Sequence, residues 1–327
     1  MKVGVFWRKF RNVELQRRIS RDNIYDDAYD EAFQHMTAIK KAGFDATLIQ
    51  WKRDPKETLK ELIRQKIDIV FNASSLKEVA FLECFGSPFV GSGLDLIATS
   101  KSARKKLVAF HKLPTPKFFV VKRSDQIPEH SLQYPLFVKP VRGRGSAGIS
   151  EENVVQHPKD LPKVIDKITQ KIGQPALVEE FIDGREITVG VIGNENPIML
   201  PILEIEYNSA ITNTYEHKML DNEIIHCPAD FSKSEEKRIK DTARDIYKVL
   251  NAHDFARIDM IVAPDGTPIF LEINTFAGLT MSTGKAHCGY MGYMAEAKGM
   301  SAQEFIGSIV RYALGRYQIK PTKARTS

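Results

Sequence analysis

Cysteine is scarce in this sequence, at three residues in 327, and Cys84, Cys227 and Cys288 lie far apart with no CxxC or Cys/His ligand spacing. That excludes a disulfide framework and a structural zinc site, and it suits buried thiols in a reducing compartment. Long apolar runs are missing too. The opening MKVGVFWRKF meets its charges too early for a signal peptide, and no segment approaches the roughly 20 apolar residues of a membrane span. A cytoplasmic protein with no membrane partner is expected. The formal charge is +6, yet no nucleic-acid module and no aromatic residues interleaved with the basic stretches occur, which argues against DNA or RNA as a partner. Internal repeats and low-complexity segments are absent, as is the P-loop pattern GxxxxGK[ST]. Anionic small molecules account for the positive charge more economically.

What is present is a chain long enough for two or three modest domains with an ordinary globular composition. Lys2–Trp7, Phe44–Trp51 and Ile67–Asn72 are compact apolar strands with helical patterns between them. In the stretch from Asn23 to Ala42, Ala28, Ala32, Met36 and Ile39 form one stripe, and Gly43 follows where a helix-terminating glycine belongs. This βαβαβ start predicts a parallel sheet, with ligands beyond the carboxyl ends of its strands. The basic run Arg8–Arg21 therefore falls near a pocket rim. It reads either as a solvated loop or as a recognition element for a substrate carboxylate or phosphate. A Lys/Arg-rich helix is expected from about Ser100 to His111, and short strands at Phe118–Val121 and Leu136–Lys139 precede a helix over Lys159–Lys171. Strands dominate from Ala176 to Ile205. A long polar excursion, Glu206 to Phe231, is of the length that is functional or disordered. Helices over Lys233–Leu250 and near Ala302–Leu314 complete the chain.

Two apolar runs, Phe255–Val262 and Pro268–Asn274, flank Pro264-Asp265-Gly266-Thr267 and read as a β-hairpin. If Asp265 and Gly266 are the central turn residues, Asp259 faces Glu272 and Arg257 faces Asn274. The two-residue strand period puts all four on one face. Facing carboxylates repel unless a cation lies between them. Two carboxylates and an amide oxygen suit Mg²⁺ or Mn²⁺ shared with substrate phosphates. The alternative is a structural ion network in which Arg257 neutralises the acids.

Upstream, Lys139 ends a strand and leads into Pro140-Val141-Arg142-Gly143-Arg144-Gly145-Ser146-Ala147-Gly148, a loop able to place an ammonium and backbone N–H groups around polyphosphate oxygens. Leu177-Val178-Glu179-Glu180-Phe181-Ile182-Asp183-Gly184-Arg185-Glu186 is an apolar strand that ends in acids and resumes after a glycine. Its carboxylates can accept from an adenine amino group and ribose hydroxyls. Either segment alone is an ordinary turn or strand end. Their order, lysine and glycine loop, then acidic hinge, then carboxylate hairpin, is more specific.

In that order the chain resembles the ATP-grasp superfamily, and within it the D-alanine–D-alanine ligases. The similarity runs from about Asp68 to Gly315 through VFNA (Val70–Ala73), VGSG (Val90–Gly93), LPTP, FVKP, VEEFIDGREITV, HCPA (His226–Ala229), ARIDM and LEINT-x-x-GLT. The resemblance implies an α/β ATP-grasp fold in which an N-terminal Rossmann-like parallel sheet (1–95) joins two α+β subdomains, 96–180 and 181–318, that sandwich ATP, followed by a basic tail, 319–327. It implies that Lys139 and Ser146 contact ATP phosphates, that Glu179, Glu180, Phe181 and Ile182 hold the adenine, and that Glu186 holds the ribose. Lys101 is an approximate match to the family's adenine-side lysine. Asp259, Glu272 and Asn274 would ligate two Mg²⁺ ions, Arg257 and the Gly278 N–H would stabilise a tetrahedral oxyanion, and Lys218 matches a loop lysine that reaches the transferred phosphate.

The implied reaction phosphorylates a carboxylate with ATP, and an amine then attacks the acyl phosphate to leave an amide, ADP and phosphate. Partners are thus a small-molecule carboxylate and an amine or amino acid, and a homodimer is compatible. Most departures from the family concern its first substrate, beginning with its Gly-rich, Ser/Glu-bearing turn after the first strand, replaced here by Trp7–Glu14. The His-Gly and Gly-Glu-Asp-Gly motifs expected after VFNA are replaced by Ser74-Ser75-Leu76-Lys77-Glu78-Val79, the serine pair of the phosphate loop is Gly145-Ser146, and the tyrosine after the loop lysine is Met219. The proline of the last motif is Ala277. Thr283, or its neighbour Ser282, falls where the family binds the second substrate's carboxylate, and Ser75 falls in the altered first pocket. A carboxylate–amine ligase with a rebuilt substrate pocket is therefore expected. The alternatives are a true D-alanine–D-alanine ligase, an ATP-grasp kinase and a non-catalytic ATP-binding protein.

Overall fold

In the computed structural model, which describes residues 1–8, 24–71, 75–143, 150–207, 223–282 and 288–320, the first apolar run is strand β1 (Lys2–Trp7). It is central in a parallel sheet of order β2-β1-β3, with β2 at Asp45–Gln50 and β3 at Ile69–Phe71. Both faces of β1 are apolar, and Val3, Val5 and Phe6 are buried, the pattern of a parallel strand covered on two sides. Helix α1 (Ile24–Lys41) lays Ala32, Ala38 and Ile39 on this sheet. It stops where expected: Gly43 has φ +92°, and the Phe44 N–H closes the last turn on the Ile39 carbonyl at 3.2 Å, a glycine cap. Helix α2 (Pro55–Arg64) follows an Asp54 cap. Helix α3 (Leu76–Cys84) starts at a Ser75 cap, and the one-turn α4 (Leu94–Ile97) leads to α5 (Lys101–Phe110).

A second, antiparallel sheet has the order β4-β7-β5-β6, from β4 (Phe118–Val121), β5 (Leu136–Pro140), β6 (Val154–Val155) and β7 (Ala176–Glu180). Helix α6 (Leu161–Lys171) covers it with Leu161, Val164, Ile165 and Ile168, one helical stripe. The third sheet runs β11-β10-β8-β12-β13, with β9 on β8. Its strands are β8 (Arg185–Ile192), β9 (Ile198–Met199), β10 (Leu203–Tyr207), β11 (Glu223–His226), β12 (Phe255–Val262) and β13 (Pro268–Asn274). Helix α7 (Lys233–Val249) packs Ile239, Ala243, Ile246 and Tyr247 against Ile187, Val189, Ile258 and Met260 of this sheet.

Helices α8 (Tyr290–Ala297) and α9 (Ala302–Arg316) bring Met291, Met294, Phe305 and Ile309 into one core with Val3, Val5, Phe71, Ile192 and Leu203, so the first and third sheets share an interior. Helix α8 has no signature in the sequence, where the segment reads as a Gly/Met/Tyr-rich stretch. Its apolar residues give no stripe to count. The expected excursion from Glu206 to Phe231 is also shorter than its composition implies. It begins in β10 and re-enters a strand at β11, with Tyr207 opposite Glu223 and Glu204 opposite His226, because the alternating Glu-Ile-Glu of β10 looks polar in sequence. Among the described residues no helix is long and apolar enough to cross a membrane.

One buried carboxylate ties these layers together. Asp254, fully buried at the start of β12 with φ +64°, accepts from the Gly91 N–H at 2.8 Å, from Arg316 Nη2 at 2.7 Å and from Asn194 Nδ2 at 3.1 Å. Arg316 also donates to the Phe89 carbonyl at 2.8 Å. The end of α9, the segment after β3 and the entry to β12 are thereby held in one arrangement.

His35 is the less comfortable buried group. It lies edge-on to Phe71 with ring centroids 5.3 Å apart, and neither ring nitrogen has a hydrogen-bond partner. Burial holds its pKa down, to about 4. Because the folded value is below the unfolded one, this contribution to stability is present above pH ~6.5 and is lost as pH falls toward 4. Between pH 7 and pH 5 the loss is about 2 kcal/mol. Urea unfolding at the two pH values should show it in the native chain and show a smaller drop in His35→Leu; equal drops in both would refute the assignment.

Candidate active site

The β12/β13 hairpin places Arg257 opposite Asn274 and Asp259 opposite Glu272, the pairs expected from the sequence. The turn that produces them is different. Ala263 and Thr267 close the loop, with the Gly266 N–H on the Ala263 carbonyl at 2.7 Å and the Ala263 N–H on the Thr267 carbonyl at 3.0 Å. Pro264, Asp265 and Gly266 form a three-residue tip, with Gly266 at φ +77°, a connection that proline before a left-handed glycine favours over a two-residue turn. Near the tip Met260 therefore faces Phe270. A β-bulge at Leu271, between the pairs Asp259/Glu272 and Met260/Phe270, restores the expected register at the acids.

Asp259 is held from several sides. Arg257 donates to both its oxygens, at 2.8 and 2.9 Å, Thr188 Oγ1 donates at 2.7 Å and Asn274 Nδ2 at 2.6 Å. Burial works against the Arg257 charge, and the Asp259 carboxylate overrides it, leaving the guanidinium pKa above its ordinary value. Lys101 Nζ lies 2.9 Å from Glu272 Oε2. Burial pushes the Glu272 carboxyl up, but Lys101 and Lys139 outweigh it and bring the pKa down to about 2.

A second charge cluster adjoins this one. Glu179 is 2 % exposed and meets Lys139 at 2.5 Å and Lys105 at 3.0 Å. Lys105 Nζ reaches the second oxygen, Glu179 Oε2, in ion-pair range. Burial raises the Glu179 pKa, and the two ammonium groups more than reverse that. Lys105 is fully buried and bonds Thr115 Oγ1 at 3.1 Å; burial brings its pKa down to about 8 against the pull of Glu179. Sequence reasoning singled out Lys101 and missed Lys105. The available signal was spacing: residues four apart share a helix face, and on α5 that face puts Lys101 on Glu272 and Lys105 on Glu179.

Lys101, Lys105, Lys139 and Arg257 thus surround Glu179, Asp259 and Glu272, an excess of one positive charge in a buried site. Such a site favours a polyanion. The donor set also fits a hard divalent cation. Asp259, Glu272 and the Asn274 amide converge, and rotating that amide presents its oxygen. Among the described residues no cluster of three His, Cys, Asp or Glu forms an all-protein cage, as expected for Mg²⁺ held by one or two carboxylates and substrate phosphates.

After β13 the chain turns back against α8. Gly278 touches Gly289 so closely that a Cβ on Gly289 would lie 2.3 Å from the Gly278 carbonyl oxygen. The Gly289 N–H donates to the Thr280 carbonyl at 2.9 Å and to Thr280 Oγ1 at 3.0 Å. Gly278 is therefore fixed to the N-terminus of α8, and the first residue of that helix, Tyr290, lies with its ring 4.9 Å from the Arg257 guanidinium.

The remaining expected residues are more dispersed. Glu180 accepts from the Gln133 N–H at 3.2 Å, the Phe181 N–H donates to the Pro135 carbonyl at 3.0 Å, and Ile182 follows, half-buried, at the exit of β7. Glu186 is on β8, between Ile205 and Ile261. Ser75 caps α3 and accepts from Arg8 Nη2 at 2.9 Å. Ser282 is turned to Glu296, its N–H and Oγ each 2.6 Å from Glu296 Oε1. Ser146, Lys218 and Thr283 lie outside the described residues, as do most of the Arg8–Arg21 run and the loop 208–222.

Three sheets of this order, with lysines from two elements meeting the hairpin acids, define an ATP-grasp fold. Residues 107–311 match the family described as D-ala D-ala ligase C-terminus, and the chain belongs to that family of ATP-grasp ligases. It is 29% identical over 301 residues to a D-alanine–D-alanine ligase of Pelotomaculum thermopropionicum, covering 85% of this chain and 89% of the relative. It is 30% identical over 298 residues to the D-alanine–D-alanine ligase of Carboxydothermus hydrogenoformans, covering 85% and 90%. A crystal structure of D-alanine–D-alanine ligase from Bacillus anthracis complexed with ATP superposes with a TM-score of 0.73 at 19% identity, over 97% of this chain and 99% of that one.

Two substitutions probe this geometry. Lys105→Met removes one of the two cations on a buried carboxylate and should cost about 3 kcal/mol in urea unfolding, with weaker ATP binding by calorimetry; an unchanged affinity would remove Lys105 from the nucleotide site. Gly289→Ala should displace Gly278 and lower kcat about tenfold or more with little change in KM for ATP; wild-type kcat would show that Gly278 is not held in a productive position by α8.

Proposed function

We propose that the chain is an ADP-forming carboxylate–amine ligase that works through an acyl phosphate and whose acid pocket differs from that of a D-alanine ligase. The observation that carries the reading is the convergence of Lys101, Lys105 and Lys139 with Glu272, Asp259, Asn274 and Arg257 in one buried site. In this reading the first sheet with its helices is the substrate domain, up to residue 95, and the other two sheets, divided near 180/181, enclose ATP.

The lysines neutralise and orient the ATP phosphates, and Glu179, braced by Lys139 and Lys105, sets the position of both ammonium groups. Phe181 and Ile182 line the purine, with Glu186 toward the ribose. Asp259, Glu272 and Asn274 would hold Mg²⁺, which when bound would supply charge neutralisation on the transferred phosphate. Arg257 is locked by two hydrogen bonds to Asp259, so its guanidinium is preorganised for an oxyanion, and the Gly278 N–H is a second donor. Lys218 would close on the phosphate and help exclude water from the acyl phosphate.

Support for a changed acid pocket comes from the end of β1. Arg8 Nη2 donates to Glu78 Oε1 at 2.6 Å, and Glu78 is 1 % exposed. This arginine–glutamate–serine group occupies the carboxyl edge of the parallel sheet, where the His-Gly and Gly-Glu-Asp-Gly motifs are replaced. The names of the relatives favour a second reading, with D-alanine as both substrates. A screen of carboxylic acids and amino acids in pairs for ATP-dependent phosphate release, with mass spectrometry of the product, separates the two. D-alanyl-D-alanine as the favoured product would overturn the changed pocket, and a stable phosphorylated product without amide would make the protein a kinase. Glu272→Gln should reduce Mg²⁺-dependent turnover by about a hundredfold or more with an unchanged far-UV circular dichroism spectrum; turnover near the native rate would remove Glu272 from the metal site.

A further inference from the structure

Joined to Arg257 through the Tyr290 ring is a further acid that the reaction as described above does not use. Glu223 is the first residue of β11. Its Oε2 accepts a hydrogen bond from the Tyr290 hydroxyl. Its Oε1 is shut off from water and has no hydrogen-bond donor, a state that is costly for a carboxylate oxygen unless a ligand supplies one. Tyr290 is well placed to aim it. The residue follows Gly289, which touches Gly278, and its ring lies against the Arg257 guanidinium. Burial, then the neighbouring Glu223, raise the phenol pKa far above its ordinary value, so the hydroxyl remains a donor throughout the working range.

Contacts link these groups one to the next: Lys101 to Glu272, Asp259 to Arg257, Arg257 to the Tyr290 ring, and the Tyr290 hydroxyl to the Glu223 carboxylate. Phosphate leaves toward the lysine end. The attacking amine must come to the acyl carbon from another direction, and it arrives as an ammonium ion, since alkylamines are protonated at neutral pH. The acids at the lysine end already have cationic partners. Resting on the ligase reading, we propose that Glu223, oriented by Tyr290, is the docking carboxylate for the ammonium form of the amine substrate, whose nitrogen attacks once a proton has passed to the phosphate, and that it selects primary alkylamines charged at neutral pH, such as amino acids, over uncharged amines.

Hydroxylamine provides the test, because it is uncharged at neutral pH and traps acyl phosphates as hydroxamates. With the full chain, ATP, Mg²⁺ and a panel of carboxylic acids, hydroxamate and amino-acid amide formation are measured side by side. In Glu223→Gln the ratio of amide to hydroxamate product should fall about tenfold, through a higher KM for the amino acid. Tyr290→Phe, which keeps the ring against Arg257, should shift the ratio the same way. An unchanged ratio in both variants, whether both products fall together or neither falls, would overturn the docking role. A native chain that forms no hydroxamate with any acid would instead remove the ligase reading, a result distinct from an altered or unaltered ratio.

Discussion

Charge buried without water has to be balanced within the protein, and the site is built around that requirement. Glu179, Asp259 and Glu272 are taken out of solvent by three different strands, and each would be expelled or protonated without a partner. Lys139 comes from β5, Lys101 and Lys105 from α5, and Arg257 from β12 itself. The pairing therefore fixes how α5 and the second sheet sit on the third. The same cations that stabilise the folded arrangement leave a surplus positive charge where a nucleotide polyphosphate would bind, so stability and ligand preference have one physical origin.

Backbone contacts set the finer geometry. The Leu271 bulge brings the acids of β12 and β13 into opposition. The contact of Gly278 with Gly289 then carries the end of that hairpin onto α8, where Tyr290 meets Arg257 and Glu223. Asp254, bonded to Gly91 and Arg316, joins the beginning of β12 to the first sheet, so the Arg8–Glu78 edge and the hairpin belong to one frame. Under the proposed reading, side chains between those two edges could change while the lysines and hairpin acids stay where the sheets hold them.

Much of this was legible beforehand, for identifiable reasons. The parallel start, the Gly43 cap and helices α5, α7 and α9 follow from local periodicity and capping chemistry, which act within a few residues. The hairpin pairs were also legible, although through a turn that does not form: the extra residue at the tip and the extra residue in the bulge cancel at the acids. Helix α8 was not readable because it is apolar over most of its surface. Lys105 was overlooked beside Lys101 although their four-residue spacing puts both on one face of α5; which acid each meets is set by strands far away in the sequence.

The order of the lysine loop, acidic hinge and carboxylate hairpin, together with strand alternation and helix stripes, was enough by itself to determine the ATP-grasp class and the face of the hairpin on which its acids lie. These are properties of short stretches, where the backbone period decides which side chains share a side. Only the tertiary structure decided which lysine meets which acid, how Gly278 is held, and that Glu223 from an edge strand comes to Tyr290 beside Arg257. Except for the Gly278–Gly289 contact, those contacts join residues tens to well over a hundred positions apart, and all of them arise from the packing of sheets and helices on one another, which no local pattern encodes.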